Sequence, residues 1–114
     1  MLERVEERFR HFAPQGDFCS LRFVRERSEG FAVRQNIVQP IETSEDSGAM
    51  LTVYAGDGMG YAATGDVSLS GLQRAAEQAH GWAQQSAGRS VVDFSKMRTA
   101  PPTGEYATNE LLPW

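Results

Sequence analysis

Residues 44–79 read S-E-D-S-G-A-M-L-T-V-Y-A-G-D-G-M-G-Y-A-A-T-G-D-V-S-L-S-G-L-Q-R-A-A-E-Q-A, and the reading of this stretch decides the fold. A polar turn, Ser44 to Ser47, leads into the apolar run Ala49 to Ala55, and a three-residue glycine turn, Gly56-Asp57-Gly58, follows. A second short run, Met59 to Thr64, comes next, and Asp66-Val67-Ser68 then opens a helix. Glycine reaches positive φ without steric cost, so two runs joined this way predict a β-hairpin. The Ser68 hydroxyl is placed to satisfy a free amide at the start of the helix.

Working upstream, Leu2, Val5, Phe9 and Phe12 stand at spacings of 3, 4 and 3, one face of an amphipathic helix. Glu6 and Arg10 sit four apart on its charged face, and Pro14 and Gly16 are the expected stop. From Cys19 the period changes to two. Cys19, Leu21 and Phe23 point one way, and Ser20 and Arg22 the other. The polar run Arg25 to Gly30 reads as the approach to a turn, after which Phe31 and Val33 continue the alternation with Arg34 outward. Gln35-Asn36 predicts a tight turn, since Asn tolerates left-handed backbone. Ile37 to Thr43 then reads as a third strand, which Pro40 restricts to an edge or a bulge.

Downstream, a helix is predicted from about Leu69 to Gln85, with Leu72, Ala75, Ala76, Ala79, Trp82 and Ala83 on or beside its apolar face and Gly88 as its stop. Residues 89–114, with Pro101, Pro102, Gly104 and Pro113, read as an extended linker or tail, with one added strand at most around Val91, Val92 and Phe94. The apolar ending Leu111-Leu112-Pro113-Trp114 reads as the start of something further. The expected fold is α+β: an antiparallel meander of about five strands, flanked by an N-terminal and a C-terminal helix as a two-layer sandwich over residues 1–88.

Composition narrows function mainly by exclusion. In 114 residues there is room for one domain, and 40% hydrophobic with 23% charged residues is ordinary for a globular chain. A net charge of −4 argues against a nucleic-acid partner, because such binding is driven by neutralising phosphates. No apolar run approaches the ~20 residues of a membrane span. Cys19 is the sole cysteine, which excludes an intrachain disulfide, and a cytoplasmic location is the expectation.

No residue constellation carries catalysis or metal binding. The two histidines, His11 and His80, belong to different helices, so neither completes a helical zinc pair. Cys19 alternates with apolar neighbours and reads as a core side chain. Gly56-Asp57-Gly58-Met59-Gly60 has Tyr61 in place of a further glycine and no helix opening behind it, so it reads as a turn and not as a phosphate loop. Glu42, Glu45 and Asp46 cluster on one loop without the spacing of a calcium loop. Arg22, Arg25, Arg27 and Arg34 are interleaved with acids, which predicts cross-strand ion pairs. The expected catalytic, cofactor and metal sites of this chain are therefore none.

The order of these elements resembles the N-terminal domain of the TldD/PmbA family, proteins once described as modulators of DNA gyrase. The matching pieces are Ser44 to Gly48, the β run and glycine turn, Gly60-Tyr61-Ala62-Ala63-Thr64, Asp66-Val67-Ser68 and the alanine-rich helix Leu72 to Ala83. Upstream, Leu21-Arg22-Phe23 and Arg27 to Arg34 fit as well, and Val92-Asp93-Phe94 with Pro102 to Tyr106 resembles the family's exit linker. Met50 and Thr52 stand where the family often has a small residue and an arginine. The resemblance implies a zinc metallopeptidase whose His-Glu-x-x-x-His helix lies outside this chain. It also implies a homo- or heterodimer with a related subunit and a peptide substrate of the full-length protein. The alternative is a stand-alone interaction or dimerisation module without peptidase activity.

Overall fold

In the computed structural model, which describes residues 2–12, 18–96 and 103–112, the chain is α+β with antiparallel pairing and two α-helices. Helix α1 is Leu2–Phe12, followed by strand β1 (Phe18–Gly30). A small ribbon of β2 (Val33–Arg34) and β3 (Ile37–Val38) comes next, then β4 (Glu42–Ala55), β5 (Gly58–Thr64) and helix α2 (Leu69–Ser86).

The expected five-strand meander is corrected to a three-stranded sheet of order β1-β4-β5 and a separate two-stranded ribbon, β2-β3. The register explains the split. β1 and β4 pair without interruption from Phe18↔Tyr54 to Gly30↔Glu42, whereas β5 covers only Ala49 to Ala55 of β4. The outer halves of β1 and β4 therefore leave the sheet as a two-stranded arm, capped by the β2-β3 ribbon, and the molecule measures 62 × 31 × 25 Å. The polar runs Arg25–Gly30, expected as the approach to a turn, and Ser44–Ser47, expected as a turn, are strand in this arm. An arm that buries neither face has no need of apolar alternation. Pro40 lies between β3 and β4 and outside both, so Ile37–Thr43 is not one strand. Phe31 and Val33 stand mostly exposed on the arm instead of continuing the core alternation.

Both turn predictions hold, with one adjustment. Gln35 and Asn36 have φ of 51° and 61°, the doubly left-handed turn that matches strand twist. At the other hairpin Ala55 pairs with Gly58, so the turn is the two residues Gly56-Asp57, and only Gly56 (φ 59°) is left-handed.

The core lies between α2 and the sheet, with Ala49, Leu51, Val53, Ala62, Leu72, Ala75, Ala76, Ala79 and Ala83 buried and Val5 of α1 joining them. Cys19, Leu21, Phe23 and Phe9 pack against this cluster, as the sequence periodicity requires. Close approach is built from both sides: alanines on α2 face Gly58 and Gly60 of β5, where a Cβ would collide with the Ala83 and Ala79 carbonyl oxygens. The Ser68 hydroxyl caps α2 by accepting from the Gly71 N–H at 3.2 Å. The Ser86 hydroxyl fastens the other end, accepting from Met59 N–H at 3.0 Å while its one proton is shared between the carbonyl oxygens of Met59 and Ala83. Gly88, with φ 76°, follows the helix end. Glu6 and Arg10 form the expected pair at 2.6 Å. The side chains of Leu2 and Phe12, the stop at Pro14 and Gly16, and Pro101, Pro102, Pro113 and Trp114 lie outside the described residues.

Candidate interaction surface

Strand β1 is one of the two outer strands of the three-stranded sheet, the other being β5, so the main-chain donors and acceptors on its outer side pair with no other strand among the described residues. It is 13 residues long, contains no proline, and its uninterrupted register leaves no bulge. Proteins usually blunt an edge with one of these devices, since an open edge is a template for a further strand. Only charge moderates this one. Arg25 pairs diagonally with Glu45 of β4 at 2.6 Å, and Arg27 pairs with Glu29 on its own strand at 2.7 Å. Glu26 accepts a weak 3.3 Å bond from the Ser28 hydroxyl, and Arg22 makes no ion pair among the described residues.

Among the described residues, the sheet face opposite the helices carries no covering element over most of its area. Met50, Tyr61 and Val24 stand exposed there, and where β5 ends the face sinks into an open depression of about 620 Å³ whose lining includes Arg22, Val24, Glu26, Met50 and Thr64. The other end is closed. The Tyr54 ring packs between Phe18 (centroids 5.1 Å apart) and Phe94 (5.4 Å), the latter held by its N–H donating to the Asp57 carbonyl at 3.4 Å. Phe94 starts a short 3-10 helix, Phe94–Lys96, so the strand allowed for at Val91–Phe94 does not form. At the arm's far end Phe31, Val33, Ile37, Val38 and Ile41 present exposed apolar side chains.

The residues weighed as chemical candidates are dispersed. His11 is exposed on the last turn of α1 and His80 half-buried on α2. Glu42, Glu45 and Asp46 stand along strand β4 of the arm and not on a loop. Burial pushes the Cys19 thiol up to about 11, away from the thiolate that a nucleophile or metal ligand needs. The glycine segment after Gly56 continues as strand β5, so no helix N-terminus faces it. Among the described residues, no three His, Cys, Asp or Glu side chains come together as a metal cage requires.

The feature that sequence reading missed is the β1 edge itself. The signal was present in the unbroken alternation Ser20, Arg22, Val24, Glu26 on one side, but polarity disguised it as a turn. Residues 19–83 match the family model described as PmbA/TldA metallopeptidase domain 1. No curated protein matches the chain.

Proposed function

Because the chain belongs to the PmbA/TldD metallopeptidase family, whose first domain it carries, we propose that it is the non-catalytic N-terminal domain of a zinc metallopeptidase. Its work is to build the dimer and to help wall the peptide-substrate channel. Residues 1–88 form the domain, and residues 89–114 serve as the extended connection towards the catalytic domain. That connection is anchored where Phe94 packs on Tyr54 and is exposed from residue 103 to 112. Zinc and the general base belong to that other domain.

One observation carries the reading: the family match spans the core-forming elements from Cys19 to Ala83, yet the donors within it do not converge. An open face and a long free edge are what an assembly domain offers. The test is metal analysis and peptide hydrolysis on the purified chain, alongside its mass by light scattering. The expected result is a dimer with neither stoichiometric zinc nor peptidase activity. A monomer that retains one zinc per chain and cleaves peptides overturns the proposal.

A further inference from the structure

The assembly reading leaves open which surface joins the subunits, and the strand geometry narrows it. When two copies of one strand pair antiparallel about a two-fold axis, that axis is normal to the sheet and passes through a residue opposite itself. Each residue then faces a partner residue pointing to the same side of the sheet. Each residue of β1 defines one possible centre, and charge and the length of overlap separate them. A centre at Arg25 or Arg27 sets an arginine against its own copy, and a centre at Glu26 sets glutamate against glutamate and Arg25 against the partner's Arg27. Like charges directly opposite are unfavourable.

A centre at Val24 has none of these conflicts. Val24 is the midpoint of Phe18–Gly30, so all 13 residues find a partner, from Phe18 against the partner's Gly30 onward. Along ~44 Å of strand, Val24 faces the partner's Val24. Arg22 faces the partner's Glu26, and Glu26 the partner's Arg22. These three residues share the open face and line the same depression, with Val24 48% exposed. Arg22, which makes no ion pair among the described residues, gains one there. On the helix side, the Leu21 and Phe23 positions fall beside the aliphatic stems of the partner's Arg27 and Arg25, which can cover apolar surface.

We propose that two copies of this chain associate edge to edge through β1, in the register centred on Val24, forming one continuous six-stranded sheet with reciprocal Arg22–Glu26 pairs. The proposal rests on the assembly reading above and specifies its surface. The test uses the full 114-residue chain in sedimentation or light scattering over a concentration series. Arg22→Glu and Glu26→Arg each turn two attractive contacts repulsive, and are expected to weaken association by at least about tenfold. Arg22→Glu/Glu26→Arg together restore it, which a merely destabilised fold would not do. In a Cys19→Ser background, Val24→Cys is expected to give a covalent dimer with a short bis-maleimide, while Gln73→Cys on the outer face of α2 gives none. A dimer indifferent to both charge reversals and not cross-linked at position 24 overturns the edge proposal and leaves the assembly reading standing. A chain that stays monomeric throughout overturns both.

Discussion

Gly60 of β5 lies against Ala79 of α2 so closely that a single added methyl group would strike the Ala79 carbonyl oxygen and come within 2.7 Å of the Trp82 Cβ. At Gly60 the helix rests on the strand backbone with no strand side chain between them. The alanine face of α2 and the glycines of β5 are thus two halves of one packing arrangement, each useless without the other.

Substitution at that contact should be costly even when it is small. Gly60→Ala is expected to lower stability by about 1–3 kcal/mol through overpacking. Gly81, in the same helix, has nothing within 4 Å of an added Cβ, so Gly81→Ala should instead stabilise by about 0.5–1 kcal/mol from helix propensity. Urea titrations of the two variants decide the matter, since equal effects would mean that α2 does not sit on β5 as described.

The far end of the same interface depends on one hydroxyl. Ser86 satisfies both the N–H and the carbonyl of Met59, each at 3.0 Å. Ser86→Ala leaves these main-chain groups of β5 short of a partner, at an expected cost of about 1–3 kcal/mol. Faster amide exchange at Met59 is the specific readout, beyond any general loss of stability.

The start of α2 makes stability sensitive to acid. Hydrogen bonds from Ser68, its side chain first and its N–H next, hold the Asp66 carboxyl below its ordinary value of 3.8, with Arg74 adding attraction. A carboxylate lowered in the folded state contributes stability that is present above its unfolded value and disappears as pH falls through the folded one. Melting temperature should therefore drop on acidification below that range, and part of the drop should be missing in Asp66→Asn. Ser68→Ala removes the cap itself, for about 1 kcal/mol at neutral pH.

Cys19 provides a probe of the alkaline side and of the sheet's inner face. Its thiol is raised to about 11 by burial, so the folded chain keeps the proton where the unfolded chain, at about 9.0, has lost it. Its contribution to stability is complete below the unfolded value and falls away as pH rises through the folded one. Alkylation at pH near 8 should be slow in the native chain and fast in denaturant. Rapid native labelling would place Cys19 outside the core-facing row of β1.

Much of the fold was legible because its signals are local. The Ser68 cap, the Gly56 and Gln35-Asn36 turns, the α1 face with Val5 and Phe9, and the Cys19-Leu21-Phe23 row each need only a few neighbouring residues to be read. The family resemblance rests on local segments too, the hairpin, Asp66-Val67-Ser68 and the alanine-rich helix among them, and the match over 19–83 bears the family out.

The arm and the free edge were not legible. Arg25–Gly30 and Glu42–Ser47 are polar on both faces, and nothing within either segment distinguishes a solvated ribbon from a loop. Their strand state comes from each other, across an uninterrupted register that starts in the buried Leu21↔Leu51 pair and propagates outward by main-chain hydrogen bonding. Side-chain chemistry within each segment therefore determined the caps, the turns and the buried faces. Only the tertiary pairing decided which strands meet, because main-chain hydrogen bonds reward pairing whatever the side chains are. The same pairing leaves β1, with Val24 at its midpoint, as an outer strand of the sheet.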